Sequence, residues 1–212
     1  ETFTWKIWRA SDDTEFIASA DYMQPPIMPN TGFYAANGMS GLISLTATTV
    51  DYQYINLPQG WSYFSTYIDP FEPNIDSLCA PFVSDVIIGK DGNGNTYWPQ
   101  WGINNIGDLI IGDGYQIKLA NPHYMEVEGI SLIPENTPII IPQGWSMLAY
   151  LRQNSAPIDQ IFSSFVTEVI IIKNTAGQTF WPQWSINMIG NMNTGEGYLI
   201  KFIRNGEKAE LR

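Results

Sequence analysis

The sequence predicts a mainly β fold, with two tandem small antiparallel β modules that each carry one short helix and are preceded by additional strands. An internal repeat is the first reason: PQGWS recurs in residues 57–68 and 141–152, and GYQIK ending at Lys118 recurs as GYLIK ending at Lys201. Segments such as GWSYFSTYI and VIIIK are rich in aromatic and β-branched residues, which is typical of strands. The Gly- and Asn-containing segments DGNGN and NTAGQ favour hairpin turns between those strands.

The repeat also predicts the domain organisation. Residues 51–133 form repeat module 1 and residues 134–212 form repeat module 2, while residues 1–50 form N-terminal strands that we interpret as the end of a preceding module. The offset between modules is 84 residues before the PFEPN/RQNSA loop and 83 after it, so a single deletion lies there. The chain begins with Glu1 rather than Met, and we interpret it as a segment of a longer protein.

One short helix is predicted near the middle of each module. Ile75, Leu78 and Phe82 recur at the spacing of a helical face, and in module 2 Pro157 suits the first turn of the equivalent helix. Cys79, the only cysteine, lies between apolar residues of the first helix. We therefore expect Cys79 to pack in the core rather than to act as a reactive thiol.

Composition excludes several classes of partner. The 212 residues include 21 acidic and 10 basic side chains, for a net charge of −11. Such a charge repels phosphate backbones and anionic lipids, so neither nucleic acid binding nor membrane insertion is expected. No apolar run approaches the ~20 residues of a membrane span. The acidity fits high solubility outside a cell, and the lack of a disulfide pair is compatible with that, since many bacterial surface proteins have none.

The clearest candidate for binding is the segment YWPQW, which returns in module 2 as FWPQW. Because polyproline II has three residues per turn, Trp98 and Trp101 would share one face, and Pro99 favours that conformation. This predicts a flat two-indole platform flanked by Gln100, suited to stacking on sugar rings. The alternative is that one indole covers the small core and the other packs on the neighbouring module. The equivalent residues of module 2 are Trp181, Gln183 and Trp184.

Other shared residues are interpreted as structural. Trp61 and Trp145 open apolar strands and are predicted to lie in the core. Tyr115 and Tyr198 are predicted to cap the glycines that precede them. The glycines at matching positions are predicted to serve turns with positive φ or close strand approach; they are Gly60, Gly107 and Gly114 in module 1 and Gly144, Gly190 and Gly197 in module 2.

Catalytic groups are not indicated. His123 is the only histidine, which excludes a histidine-based triad or a multi-histidine metal site within the chain. Asp108 and Asp113 are a carboxylate pair of the kind that glycoside hydrolysis uses, but module 2 has Asn191 and Glu196 at those positions. We therefore expect no enzyme activity and no catalytic residue in this chain.

The turn Asp91–Asn95 loosely resembles a calcium loop, because oxygen-bearing side chains alternate with glycine. Its counterpart in module 2 begins with Asn174 and lacks the carboxylate, so a plain hairpin turn is the favoured interpretation. No cofactor is expected, although the 21 carboxylates leave a calcium ion elsewhere open.

The succession GW-S, V-I-I-x-K, a Gly turn, an aromatic residue with Trp-Pro, N-x-I-G and G-[DE]-G-Y-x-I-K resembles a repeat of large secreted and cell-surface proteins of Bacteroidota-type bacteria. The resemblance covers roughly residues 55–204. It implies secretion, in some cases by the type IX route, a role in adhesion, and neighbouring domains of the same chain as partners. The repeat pattern contains no catalytic residues to carry over.

Three functions follow from these observations. The first is a non-catalytic tandem repeat segment with a structural or adhesive role, in contact with another surface protein. The second is a carbohydrate-binding module that uses paired tryptophan platforms to hold polysaccharide, where two platforms would raise affinity through avidity. The third is an accessory domain of a secreted hydrolase whose catalytic domain lies outside these residues. Exposure of the four WPQW indoles favours the second function, whereas their burial favours a scaffold.

Overall fold

The structure, a computed structural model, describes residues 3–11, 13–23, 30, 32–203 and 208–209. It confirms the mainly β fold, with several antiparallel sheets and a few short helical turns. The chain divides into two compact units, Glu1–Val50 and Asp51–Arg212. Both repeat modules therefore belong to the second unit.

The first unit contains one three-stranded antiparallel sheet, in the order β1–β2–β3. Its strands alternate in burial, so that Trp5 and Ile7 are half-buried while Trp8 is 61% exposed. The Trp5 indole Nε1 donates a hydrogen bond to the Tyr22 hydroxyl at 2.5 Å, which ties β1 to the far end of β2. The bounds are β1 (Trp5–Arg9), β2 (Thr14–Tyr22) and β3 (Leu42–Thr48).

Each module of the second unit is built mainly from short strands. Module 1 contains β4 (Asp51–Leu57), β5 (Gly60–Phe64), β6 (Ile68–Pro70), α1 (Ile75–Cys79), β7 (Val86–Lys90), β8 (Thr96–Trp98), β9 (Ile103–Asn104), β10 (Tyr115–Leu119) and β11 (His123–Ser131). Module 2 contains β12 (Ile139–Ile140), β13 (Gly144–Ala149), β14 (Ala156–Pro157), α2 (Ile158–Ile161), β15 (Val169–Lys173), β16 (Thr179–Trp181), β17 (Ile186–Asn187), β18 (Asn191–Met192), β19 (Gly197–Phe202) and β20 (Lys208–Ala209).

The same five-stranded sheet occurs in both modules. Its order is β5–β10–β7–β8–β9 in module 1 and β13–β19–β15–β16–β17 in module 2. The register is also the same, since Trp61 is opposite Lys118 in module 1 and Trp145 is opposite Lys201 in module 2. Smaller sheets complete the unit: β4–β11–β6 in module 1, and the pairs β12–β20 and β14–β18 in module 2.

Each module has its own hydrophobic core, beneath the short helix. The side chain of Asn74 caps α1 by accepting a hydrogen bond from the Asp76 amide at 3.1 Å. Cys79 is fully buried, and burial raises the pKa of its thiol to about 12, so the predicted packing role is confirmed. Pro157 lies one position earlier than predicted: it precedes α2 as the N-cap residue instead of occupying the first turn.

The two modules pack against each other through equivalent groups. Strands β5 and β13 are the outer strands of their sheets, and each continues into backbone that hydrogen-bonds to the other module. The Ser65 amide donates to the Gly195 carbonyl and the Ala149 amide donates to the Gly112 carbonyl, both at 3.0 Å. The two bonds are equivalent, because each joins the same positions with the roles of the two modules reversed. The interface is therefore isologous, like that of a two-fold dimer. It also covers two sheet edges that would otherwise be free to pair with other chains.

Two glycines allow the modules to approach this closely. A Cβ atom on Gly114 would lie 2.7 Å from the Leu148 carbonyl oxygen, and one on Gly197 would lie 2.6 Å from the Phe64 carbonyl oxygen. These distances are shorter than van der Waals contact, and both obstacles are backbone atoms. The predicted requirement for close approach at these glycines is therefore confirmed, and the neighbour is the other module.

Candidate functional site

The WPQW segments end a strand and form a turn. Strand β8 ends at Trp98, and Pro99–Trp101 is a single 3-10 turn, closed by a hydrogen bond from the Gly102 amide to the Pro99 carbonyl. The polyproline II prediction is wrong. A 3-10 helix also has three residues per turn, so it still brings Trp98 and Trp101 to one side. Module 2 repeats the turn at Pro182–Trp184.

The two indoles of each pair stand edge to face instead of forming a flat platform. The ring centroids of Trp98 and Trp101 are 6.3 Å apart with an interplanar angle of 84°, and those of Trp181 and Trp184 are 6.4 Å apart at 86°. This is a favourable aromatic geometry. It presents one indole face per pair, so the predicted coplanar platform is wrong in its geometry.

Most of these side chains are nevertheless exposed. Trp101 and Trp184 are 66% and 64% exposed, and Trp98 is 37% exposed. Trp181 is half-buried, and its Nε1 has no hydrogen-bond partner among the described residues. Gln100 and Gln183 are exposed beside them. In module 1 both indoles are exposed, so the alternative in which one indole of each pair covers the core does not hold there.

Trp61 and Trp145, which were predicted to lie in the core, are instead 41% and 46% exposed. Strand β5 alternates, and its inward positions are Ser62 and Phe64, so Trp61 faces outward with Tyr63. The prediction fails because this strand carries large aromatic residues on both faces. The pattern alone does not say which face is buried.

The outward positions form a row across the five-stranded sheet, because residues paired across antiparallel strands share a face. From one edge of the module 1 sheet to the other, Trp61 pairs with Lys118 and Lys118 pairs with Ile88. The β7–β8 register, continued by one residue, places Ile88 beside Trp98, and Trp98 pairs with Ile103. The row therefore runs across all five strands, and its two tryptophans are roughly 14 Å apart, or three strand spacings. In module 2 the row is Trp145, Lys201, Ile171, Trp181 and Ile186. We call these surfaces the tryptophan faces.

Two lysines flank the first tryptophan of each face. The Nζ atoms of Lys90 and Lys118 lie 5.6 and 5.9 Å from the centre of the Trp61 ring. Within the part of the chain that the structure describes, neither lysine forms a salt bridge. Lys173 and Lys201 each lie 5.6 Å from the centre of the Trp145 ring in the same arrangement. Both lysine pairs recur at the offset of 83, because they are the last residues of the repeated segments V-I-I-x-K and G-Y-x-I-K.

A second exposed aromatic surface of module 1 has the opposite charge. On the β4–β11–β6 sheet, Tyr52 and Tyr124 are 50% and 69% exposed, beside Glu126 and Glu128. The Tyr52 hydroxyl donates to a Glu128 carboxylate oxygen at 3.0 Å, and this contact raises the tyrosine pKa. We call this surface the tyrosine–glutamate face. Module 1 thus separates its exposed aromatic residues into a cationic face and an anionic face.

Two clefts lie between the modules at equivalent positions. One has a volume of about 480 Å³ and is lined by Tyr63, Thr175 and Glu196, among others. The other has about 80 Å³ and is lined by the counterparts Met147, Gly92 and Asp113. The Tyr63 amide donates to Thr175 Oγ1 at 2.7 Å across the first cleft.

The carboxylates and the histidine considered for catalysis have local partners. Asp108 accepts a hydrogen bond from the Asn74 side chain at 3.0 Å, and Asp113 lies at the module interface opposite Leu148. The His123 Nε2 atom lies 2.7 Å from Asp85 Oδ2, at the edge of the module 1 core.

The Asp91 carboxylate forms hydrogen bonds within its own turn. Its Oδ1 accepts from the amides of Asn93 and Asn95, and its Oδ2 accepts from the Asn95 side chain. The side chain of Asn174 closes the module 2 turn in a similar way, by accepting from the Gln178 amide. Both segments are therefore hairpin turns that the side chain of their first residue holds closed.

A scan against protein-family models finds no match to the chain, and neither does a search of curated proteins or of solved structures. Within the described residues, none of the helices is long and apolar enough to cross a membrane. A function therefore has to be inferred from the tryptophan faces, which are the most distinctive exposed surfaces of both modules.

Proposed function

We propose that this chain is a non-catalytic adhesive segment of a secreted or cell-surface bacterial protein, and that it holds polysaccharide on its two tryptophan faces. The observation that carries the proposal is the outward row with two tryptophans across each five-stranded sheet, in the same register in both modules. In these rows Trp61, Trp98 and Trp145 are exposed and Trp181 is half-buried. Trp101 and Trp184 add a further exposed indole beside each row.

Exposed apolar side chains that stand singly are ordinary, but a row that crosses a whole sheet calls for a partner. An indole presents a large, rigid apolar surface, and the axial C–H groups of pyranose rings provide a matching apolar face. The spacing along the row allows one glycan chain to contact both tryptophans of a face. Two faces per chain raise the apparent affinity for a repetitive ligand, because binding at the second becomes intramolecular.

Affinity electrophoresis through gels that contain soluble polysaccharides tests the proposal. The test variant is Trp61→Ala/Trp145→Ala, because these side chains belong to the two rows that carry the proposal and are 41% and 46% exposed. The control is Tyr52→Ala, which removes an aromatic residue of similar exposure, 50%, from the tyrosine–glutamate face. We expect at least one polysaccharide to retard the native chain and the control, and the double variant to migrate faster than both.

Equal migration of the native chain and the double variant in every gel would contradict the proposal. The structural role would then be the better interpretation, with the tryptophan faces covered by neighbouring domains of the longer protein. Circular dichroism of all three proteins shows whether a lost interaction reflects a lost fold. The same double variant also sharpens a fluorescence test, in which bound glycan protects the remaining tryptophans from iodide quenching.

A further inference from the structure

Building on the proposed function, we infer that the tryptophan faces bind an anionic polysaccharide, whose rings stack on the indoles and whose acidic groups pair with the flanking lysines. The inference rests on the lysine pairs at Trp61 and Trp145. Neutral glycan binding would not require them, and no residue of these pairs belongs to the WPQW segments on which the sequence-based prediction was built.

The lysines stand where an anion on a stacked sugar would be. In module 1, Lys118 is on the strand next to Trp61 and Lys90 is on the strand after it, so both are on the same outward face. Their stems are half-buried along the sheet, and their ammonium groups lie within 6 Å of the ring centre. An acidic sugar that contacts the indole would therefore have two ammonium groups within reach.

Packing alone does not account for two lysines at one indole. A cation–π contact needs one ammonium group, and a second ammonium on the same ring adds like-charge repulsion. Lys90 and Lys118 have no carboxylate partner among the described residues that would offset this repulsion. An acidic ligand group between them supplies the missing negative charge, and Lys173 and Lys201 make the same case independently in module 2.

The distribution of charge supports the same conclusion. The chain has a net charge of −11, yet 4 of its 10 basic residues are at the two tryptophan faces. Acidic side chains of module 1 such as Glu126 and Glu128 are on the other sheet. Because charges more than about 8 Å apart are largely screened at physiological ionic strength, the negative surface elsewhere does not prevent local binding of an anion.

Isothermal titration calorimetry tests the inference with one polysaccharide in two charge states. The probes are polygalacturonate and its fully methyl-esterified form at matched chain length, which differ only in the carboxylate. We expect roughly tenfold tighter binding of polygalacturonate at low ionic strength, the scale of one or two exposed ion pairs per site, and a smaller preference at high ionic strength. A sulfated polysaccharide in a third arm distinguishes carboxylate recognition from general anion binding.

Matched variants locate the charge recognition. Lys118→Gln/Lys201→Gln, which leaves Lys90 and Lys173 in place, should have a smaller preference for the acidic form than the native chain while keeping the affinity for the ester. Lys118→Arg/Lys201→Arg, which keeps the charge and the stacking, should retain the preference. Lys6→Gln, a change of an exposed lysine in the other unit, should behave like the native chain.

The outcomes separate the inference from the proposed function. Equal affinity for both forms at every ionic strength would leave polysaccharide binding in place and overturn the inference. A preference that is as large in Lys118→Gln/Lys201→Gln as in the native chain would overturn it as well, because the anion would then be bound elsewhere. Failure of every polysaccharide in the panel to bind the native chain would overturn the proposed function and the inference together.

Discussion

Modules 1 and 2 carry different side chains along the interface between them. Gly92 of module 1 contacts Met147 of module 2. At the equivalent position, Thr175 of module 2 contacts Tyr63 of module 1. The cleft lined by Tyr63 and Thr175 has a volume of about 480 Å³, and the cleft lined by Gly92 and Met147 has about 80 Å³. Further differences at equivalent positions are Ser65 against Ala149 and Asp113 against Glu196.

On the tryptophan faces, by contrast, the two modules carry the same residue types. Each has a tryptophan between two lysines, and each has a second tryptophan followed by Pro-Gln-Trp. The core does not require these exposed side chains, whereas the interface depends on backbone contacts that tolerate different side chains. The interface is therefore maintained by its backbone geometry and the outer faces by their side chains. The shared ligand that we propose for both faces would account for that difference.

The largest effect is expected where the backbones of the two modules touch. Gly114→Ala and Gly197→Ala each insert a methyl group within 2.7 Å of a carbonyl oxygen that cannot move without shifting a strand. We expect each change to lower the free energy of unfolding by about 3 kcal/mol, the upper end of overpacking effects. Urea denaturation of both variants measures the effect and tests whether the interface is symmetric.

Gly107→Ala is the control for those two variants. Gly107 has a φ of 68°, and a Cβ atom there would meet nothing within 4 Å, so the change costs only the backbone strain of about 1 kcal/mol. If Gly114→Ala or Gly197→Ala were no more destabilising than Gly107→Ala, the close packing of the modules would be contradicted.

Ser65 distinguishes the modules at the interface, because module 2 has Ala149 at that position. The Ser65 hydroxyl donates to the Glu196 carbonyl at 2.6 Å and accepts from the Tyr150 amide at 3.0 Å. Ser65→Ala leaves a buried amide without this partner, so we expect a loss of about 2 kcal/mol in urea denaturation. Ser62→Ala is the control, since Ser62 is equally buried but its hydroxyl has no partner among the described residues. A loss of similar size for Ser62→Ala would show that burial, not hydrogen bonding, is being measured.

A smaller effect is expected across the larger cleft. Thr175→Val keeps the shape of the side chain and removes the oxygen that accepts from the Tyr63 amide. Because this amide lies at an open cleft, water can take the place of the hydroxyl, and we expect a loss of only about 0.5 kcal/mol. Thr179→Val, on the exposed side of β16, is a matched control that leaves the cleft unchanged. A loss above that of Ser65→Ala would contradict the ranking.

Much of the fold follows from the sequence because the repeat has a strict register. Matching offsets predict the equivalent strands, the short helices and the burial of Cys79, since each depends on local spacing. The conformation of WPQW does not follow, because polyproline II and 3-10 turns both have three residues per turn. In the structure the Gly102 amide closes a 3-10 turn on the Pro99 carbonyl, and the φ of 63° at Gly102 marks the left-handed exit from that turn toward β9.

The spacing of residues in the sequence also does not predict the orientation of Trp61 or the packing of the two modules against each other. Strand β5 has large aromatic residues on both faces, so its sequence does not show which face is buried. The polar Ser62 on the buried face makes that face still harder to recognise. Close approach at Gly114 and Gly197 is predicted from the pattern, but a repeat offset does not specify which backbone approaches. The lysines of the tryptophan faces were visible as repeated residues, and only the strand register shows that they share a face with a tryptophan.

The smallest expected effect is the one that depends on pH, at the position where the modules carry Asp113 and Glu196. Burial, with a further contribution from Asp91, raises the pKa of Asp113 above its ordinary value. The folded protein therefore holds this proton more tightly than the unfolded chain, so the ionised carboxylate costs stability at neutral pH. That cost disappears as the pH falls through the folded-state pKa. Asp113→Asn should stabilise the chain at neutral pH, by an amount that shrinks on acidification in pH-dependent urea denaturation.

Glu196→Gln at the equivalent position provides the contrast. Glu196 is one methylene longer than Asp113, and its carboxylate accepts a hydrogen bond from the Tyr198 hydroxyl at 2.5 Å. Replacing the carboxylate with an amide weakens that bond, because a charged acceptor binds the hydroxyl more strongly than a neutral one. We therefore expect opposite signs at neutral pH, with Asp113→Asn stabilising and Glu196→Gln destabilising. The same sign for both would mean that the extra methylene of Glu196 makes no difference, and that the modules diverged here without a change in chemistry.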